Sequence, residues 1–290
     1  MKQNNSRIEK IEMLLEKVLS ISTSRDIIAK YEIKILELNN PRLSYFFAKN
    51  MIGSDISAHE KIVIKSKDSV YNYMFARDIN GADVASHGKA VIESKNLEYN
   101  YKFARDIEGT DVAAHGKVII QSENLEYIYR FAHDIEGINI KDYSDAIVKS
   151  KDPYYNYKFA YNFFDKLEIS DIMAHGRVVI ESKDLEHNYK FARDVKGADI
   201  ETHGKVIVES KDPKYNYKFA RDIKDSDVLA HIHVIDEYNC FDWCSDMLQQ
   251  IEEIKYTLDK LRNLYETFKM LDELIDEELK VKVLKNNQLG

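Results

Sequence analysis

The sequence predicts an all-α protein: an α-solenoid of about seven to eight helical-hairpin repeats of 28 residues, with an N-terminal helix and a long C-terminal helix. Three observations predict this fold class. The 290 residues include only 10 Gly and 3 Pro, too few for the turns of a sheet-rich fold. Apolar residues inside each block recur at three and four residues, as on one face of a helix. One phenylalanine per block marks seven copies, at steps of 28 residues with one step of 32: Phe47, Phe75, Phe103, Phe131, Phe159, Phe191 and Phe219.

Three regions follow from this pattern. They are an amphipathic helix over 1–25, the solenoid repeats over 26–236 and a C-terminal helix over 237–290. The N-terminal region has a short heptad spacing between Ile8 and Val18. The C-terminal region has an apolar stripe from Ile251 to Leu279, which is typical of a cap over the end of the stack or of a coiled coil that joins two chains. Both interpretations stay open.

Each repeat is predicted to contain two helices of about 11 residues, helix A and then helix B. In the third full copy, helix A runs from Asp111 to Ser122 with Asp111 as its N-cap, and helix B opens at Asn124. In three copies Pro follows the helix B cap, where its missing N–H costs nothing. Gly109 and its equivalents are expected to end helix B in the left-handed conformation. One such pair cannot bury its own apolar face, so the copies must stack.

Charge and hydropathy exclude several classes of protein. There are 42 Lys and Arg against 50 Asp and Glu, a net charge of -8, which argues against a protein whose whole surface binds nucleic acid. No apolar run reaches the roughly 18–20 residues that span a membrane. The first 24 residues carry charge throughout and lack a signal-peptide core, so the expected location is the cytoplasm, or the host cytoplasm if a phage encodes the chain.

Two polar positions recur in the repeats. A histidine that appears in almost every copy usually serves a need of every copy, so we interpret it as packing between helices; the copies carry His59, His87, His115, His175, His203 and His231, with Tyr143 in the remaining one. An aspartate lies in the last turn of helix B, where the helix dipole disfavours an anion. A cation on a neighbouring repeat is its expected partner; the aspartates are Asp78, Asp106, Asp134, Asp194 and Asp222.

The closest group of potential metal ligands is His231, His233, Cys240 and Cys244. Four nitrogen and sulfur ligands would suit tetrahedral zinc. The spacing matches neither a Cys-x-x-Cys pair nor a zinc finger, and the repeat already explains His231. Two free thiols near a cap are therefore the preferred interpretation, and no metal or cofactor is predicted.

The most interesting predicted surface is a row of tyrosines and arginines on helix B. Tyr and Arg are enriched in protein interfaces, and an aromatic beside a cation in each repeat could also stack successive bases. The alternative for the tyrosines is packing between repeats. The candidate binding residues are Tyr73, Arg77, Tyr101, Arg105, Tyr129, Tyr157, Tyr189, Arg193, Tyr217 and Arg221.

The repeat also resembles a known kind of sequence. Residues 203–213, HGKVIVESKDP, followed by residues 215–222, YNYKFARD, resemble short tandem repeats in uncharacterised proteins of bacteriophages, giant viruses and low-GC bacteria. The resemblance covers residues 26–236. It implies a viral or phage-associated protein with a binding role, including inhibition of a host defence complex.

No enzyme signature is present, neither a phosphate-binding Gly loop, nor Gly-x-Ser-x-Gly, nor His-Glu-x-x-His. We therefore expect a non-enzymatic scaffold that binds a protein partner. The alternative is a single-stranded RNA-binding solenoid that uses one Tyr and Arg pair per repeat. A steep loss of binding with salt would distinguish the RNA-binding alternative.

Overall fold

The computed structural model describes residues 2–21, 25–238 and 269 of the chain. These residues contain sixteen α-helices and no strand, so the predicted fold class, an all-α repeat solenoid, is confirmed. The helices are α1 Lys2–Ile21, α2 Arg25–Glu37, α3 Pro41–Asn50, α4 Ile56–Ser66, α5 Ser69–Asp78, α6 Val84–Ser94, α7 Leu97–Asp106, α8 Val112–Gln121, α9 Leu125–Asp134, α10 Ile140–Ser150, α11 Pro153–Phe163, α12 Ile169–Ser182, α13 Leu185–Asp194, α14 Ile200–Ser210, α15 Pro213–Asp222 and α16 Val228–Glu237. Most of the predicted C-terminal helix lies outside the described residues.

The helices fall into two compact units. Unit 1 contains α1–α12 together with Val195–Gly197, and unit 2 contains α13–α16. In both units the even-numbered helices from α2 onwards are the predicted A helices, and the odd-numbered helices from α3 onwards are the B helices. The predicted N-terminal helix forms as α1, and its Leu15 joins a core with Leu43 and Phe47 of α3.

Side-chain caps start the helices at the predicted residues. Asp111 accepts a hydrogen bond from the Ala114 N–H at 3.0 Å at the start of α8, and Asn124 accepts one from the Tyr127 N–H at 3.2 Å at the start of α9. The three prolines are the first residues of α3, α11 and α15. The local chemistry of the repeat therefore fixes where each helix begins.

The prediction that Gly109 and its equivalents end helix B was wrong about where these glycines lie. Helix α7 ends at Asp106 with Ile107 as its cap, and Gly109, with φ of 76°, lies two residues beyond that cap in the turn that leads to the next A helix. The left-handed cap instead ends helix A, and a lysine occupies it; these residues are Lys67, Lys95, Lys151 and Lys211, with φ between 54° and 59°. A serine one residue earlier holds this turn, since Ser94 Oγ donates to the Val91 carbonyl and accepts from the Asn96 N–H.

The core runs between repeats rather than inside one hairpin. All seven repeat phenylalanines are at most 1% exposed. In unit 1, α3, α5, α7, α9 and α11 each pack more extensively against the following A helix than against the preceding one, and α15 does the same in unit 2. The Phe103 ring of α7, for example, stacks on His115 of α8 with ring centroids 5.0 Å apart. Each copy therefore completes its core with the next copy, as expected for a solenoid.

Candidate binding surface

The row of predicted binding residues divides into buried tyrosines and exposed arginines. Tyr73, Tyr101, Tyr129 and Tyr189 are at most 9% exposed, whereas Tyr157 and Tyr217 are half-buried. The side chains of Arg77, Arg105, Arg193 and Arg221 are 40–52% exposed. A cation lies over each of the four buried rings: Arg77 over Tyr73, Arg105 over Tyr101, Lys158 over Tyr129 and Arg193 over Tyr189. What this row presents to solvent is therefore mainly guanidinium groups.

The buried tyrosines bind successive B helices together. The Tyr73 hydroxyl donates to Asp106 Oδ2 at 2.7 Å, and the Tyr101 hydroxyl donates to Asp134 Oδ2 at 2.5 Å. Equivalent bonds join Tyr45 to Asp78 and Tyr189 to Asp222. Hydrogen bonds to a carboxylate are stronger than neutral ones, and these bonds also satisfy the buried phenol oxygen. These tyrosines therefore have a structural role between repeats.

Each arginine is paired inside its own helix. Arg105 Nε donates to Asp106 Oδ1 at 2.6 Å and Nη2 donates to Asp106 Oδ2 at 3.1 Å, while Nη1 reaches the Tyr101 hydroxyl at 3.2 Å. The Arg105 hydrogen bonds hold the pKa of the Asp106 carboxyl below its usual range. Arg193 and Arg221 repeat the two-bond contact with Asp194 and Asp222. Each of these Arg and Asp pairs is electrically neutral, with one positive and one negative charge.

For the aspartates in the last turn of the B helices, the predicted partner, a cation on a neighbouring repeat, was therefore wrong in most copies. The neighbouring repeat supplies a tyrosine hydroxyl, and the cation comes from the preceding residue of the same helix. Lys49 on α3 does form the predicted kind of contact, with Nζ 2.7 Å from Asp78 Oδ2 on α5. The i and i+1 side chains meet because Arg has enough length to fold back on its neighbour's carboxylate.

Two copies interrupt the row. In α9 the arginine position holds His133, whose Nδ1 lies 2.7 Å from Asp134 Oδ1. In α11, next to the four-residue insertion, Tyr161 and Asn162 replace the Arg and Asp pair, and Asn162 Nδ2 donates to the Lys158 carbonyl instead. Tyr161 is 47% exposed. In this copy an exposed aromatic side chain therefore stands where other copies have an ion pair.

The recurring histidines are fully buried, as the packing interpretation predicted. His115 Nδ1 lies 2.8 Å from Asn100 Oδ1, and Asn100 Nδ2 donates to the Val91 and Asn96 carbonyls. Because the Asn amide nitrogen is used by two carbonyls, its oxygen accepts and His115 Nδ1 carries the proton. Burial lowers the pKa of His115, His175, His203 and His231 to about 4, so these rings are neutral at pH 7.

The asparagine partner was missed at the level of sequence. It precedes the core phenylalanine by three residues, at Asn72, Asn100, Asn156, Asn188 and Asn216. A signal for it was present: the copy with Ile128 in place of Asn is followed by the copy with Tyr143 in place of His. Here both partners change together, which avoids a buried amide left without its histidine.

Gly116 makes the Tyr143 exchange possible. A Cβ at Gly116 would lie 2.1 Å from the Tyr143 hydroxyl, whereas a Cβ at the equivalent Gly88 would meet nothing closer than Phe103 at 3.3 Å. Gly116→Ala is expected to lower the free energy of unfolding by about 1–3 kcal/mol through overpacking. Gly88→Ala is expected to be nearly neutral, because a gain of about 1 kcal/mol in helix propensity offsets the tight contact.

Urea unfolding of these two variants measures the difference. Adding Tyr143→Phe to Gly116→Ala removes the hydroxyl and should recover much of the lost stability. Equal costs at the two glycines would show that the Tyr143 hydroxyl does not determine the residue at position 116.

The potential zinc ligands are only partly described. The His231 ring is buried with Nδ1 2.7 Å from Asn216 Oδ1, and His233 is exposed with Nε2 3.5 Å from Glu237 Oε1. Cys240 and Cys244 lie outside the described residues. In the part of the chain that the structure describes, no three His, Cys, Asp or Glu residues are grouped as a metal site.

Comparison with protein-family models, with curated proteins and with solved structures finds no match to this chain. None of the described helices is both long and apolar enough to cross a membrane.

Proposed function

We propose that this chain is a non-enzymatic repeat scaffold that binds a protein partner through the arginine row of its B helices. The observation that carries the proposal is that each exposed guanidinium is held against an aspartate by hydrogen bonds, so each arginine is fixed in place and its charge is balanced. Arg is enriched in protein interfaces, and an Arg that is already ordered before binding loses less entropy when the partner binds. Interfaces between proteins also match positive groups with negative groups, and a surface that carries both signs of charge suits such matching. The narrower proposal, inhibition of a host defence complex, is supported only by the sequence resemblance.

The RNA-binding alternative loses two of its supports. A stacking platform needs exposed rings, and Tyr73, Tyr101 and Tyr189 are at most 6% exposed. A phosphate track needs unpaired cations, and the exposed arginines are neutralised by their aspartates. A protein partner is therefore favoured over a polyanion.

Charge reversal of the row tests the proposal. The variant Arg105→Glu with Arg193→Glu is expected to lower capture of the partner from a nuclease-treated lysate by about tenfold or more, because repulsion replaces attraction at two contacts. Exposed ion pairs contribute only about 0–1 kcal/mol each, so the variant should keep its helicity. Quantitative mass spectrometry of the captured proteins and circular dichroism are the two measurements.

Lys89→Glu with Lys117→Glu is the matched control, since both lysines are exposed on A helices and the charge change is the same. Normal capture by the arginine variant, or equal loss with the control, would contradict binding through this row. Two results together would favour the RNA-binding alternative. The captured material would be lost when the lysate is treated with nuclease, and the affinity for labelled single-stranded RNA would fall steeply as the salt concentration rises.

A further inference from the structure

A groove in unit 1 lies at copies whose residues depart from the repeat pattern. It is formed by α8, α9 and α10 and has a volume of about 590 Å³. Volumes of this size are typical of sites that take a small ligand or a few side chains of a partner. The other copies serve as internal references, because they show which residue the repeat normally places at each position of the groove.

The floor of the groove is apolar. It is formed by Ile120, Leu125, Ile128 and Ala146, and Ile128 is 1% exposed. Ile128 occupies the position at which the neighbouring copies carry Asn100 and Asn156. Exchange of the buried amide for a branched aliphatic side chain makes this floor suited to methylene groups rather than to polar atoms.

Three carboxylates line the groove, and we call them the acidic rim: Glu123, Asp142 and Asp145. All three are exposed. The other copies have no acid at these positions. The Glu123 position carries Lys67, Lys95, Lys151, Lys183 and Lys211. The Asp145 position carries Lys61, Lys89, Lys117, Arg177 and Lys205, and the Asp142 position carries Ala58, Ser86, Ala114, Ala174 and Thr202.

Nearby lysines neutralise the acidic rim only in part. Lys149 Nζ lies 3.8 Å from Glu123 Oε1, and both side chains are more than four-fifths exposed, so this pair is weak. Lys141 Nζ lies 2.5 Å from Asp145 Oδ1 but is shared with Asp171 at 2.7 Å. Among the residues that line the groove, three carboxylates therefore face one lysine, Lys149, which leaves an excess of negative charge at the mouth of an apolar groove.

We propose that this groove docks a segment of a protein partner that carries Lys or Arg next to apolar side chains. Long cationic side chains lay their methylene stems on apolar surface and keep the charged head in polar surroundings, which matches the floor and the acidic rim respectively. Opposite charge at the rim also favours a basic segment over an acidic one. The proposal rests on the proposed function in that the partner is a protein, but it concerns a different surface from the arginine row.

Selection of displayed random peptides on the full chain tests the proposal. Peptides that combine Lys or Arg with apolar residues are expected to be enriched. They should bind Glu123→Lys with Asp145→Lys about tenfold more weakly or worse, because two attractive charges become repulsive. This variant installs the residue that the other copies carry, so it is expected to fold. Binding should also protect the amides of α8, α9 and α10 from hydrogen exchange.

Glu181→Lys with Glu209→Lys is the matched control, since both glutamates are exposed on A helices outside the groove and the change in net charge is identical. It should bind the selected peptides like the unaltered chain. Enrichment of peptides without a cation, no enrichment at all, or equal weakening in both variants would overturn the proposal.

The two proposals fail separately. A failed peptide selection with loss of partner capture in the Arg105 and Arg193 variant would remove the groove and keep the arginine row. Peptide binding at the groove, with normal partner capture by the Arg105 and Arg193 variant, would keep the groove and remove the arginine row.

Discussion

Phe103→Ala is expected to lower the free energy of unfolding by about 3–5 kcal/mol, as large truncations in a closed core do. The Phe103 ring is fully buried, stacks on His115 and lies in the space that the absence of a Cβ at Gly88 leaves open. It touches α6 and α8 as well as its own helix. The cavity should therefore weaken three helices and not only α7.

Chemical denaturation gives the cost, and hydrogen exchange shows its extent. Tyr154→Ala is the control, because that ring is 45% exposed and its removal should change stability by only about 0.5 kcal/mol. Loss of protection confined to α7 would contradict a core shared between successive copies.

Acid is expected to unfold the chain between about pH 6.5 and pH 4. The pKa of His115, His175, His203 and His231 is about 4 in the folded chain and about 6.5 when unfolded, so in this window the unfolded chain binds more protons. Stability therefore falls as pH falls, by about 1.4 kcal/mol per pH unit for each such histidine. Among the described residues no group bonds His115 Nε2, so the added proton would be buried without an acceptor.

Urea denaturation at a series of pH values measures this slope. The double variant Asn100→Ile with His115→Tyr copies the natural pair of Ile128 and Tyr143, and the required glycine is already present at Gly88. This variant removes one titrating histidine, so the slope of the unfolding free energy against pH should fall by the contribution of one histidine. An unchanged slope in this variant, or a stability that does not depend on pH above 4, would contradict the assignment.

The sequence was sufficient for the fold class and for the helix starts, because caps, prolines and apolar spacing act within a few residues. It was not sufficient for the fate of Tyr101. A helical wheel places Tyr101 on a different face from Phe103, but whether that face is covered depends on how closely the next B helix approaches. The partner of Asp106 depended on the same distance, since only stacked helices bring Tyr73 to it.

The residues of the groove could have been singled out from the sequence by comparing the copies for positions at which the side-chain charge changes sign. Glu123 and Asp145 each replace a cation that five other copies carry, and Ile128 replaces a buried amide. What the sequence could not give is that these positions, on α9, on α10 and in the turn between α8 and α9, line one cavity. That requires the arrangement of α8, α9 and α10 around one space, which no local pattern encodes.

The closure of each core by the following copy has a consequence for how such a chain changes length in evolution. The paired positions lie on opposite sides of a repeat boundary: Asn100 with His115, Tyr101 with Asp134, Ile128 with Tyr143. Duplication or loss of one standard 28-residue copy rejoins equivalent surfaces and leaves the new junction satisfied. A crossover that falls between Ile128 and Tyr143 would instead set an aliphatic side chain against a histidine that needs an acceptor. A B helix exchanged together with the A helix that follows it therefore keeps the Asn and His pair, or the Ile and Tyr pair, intact.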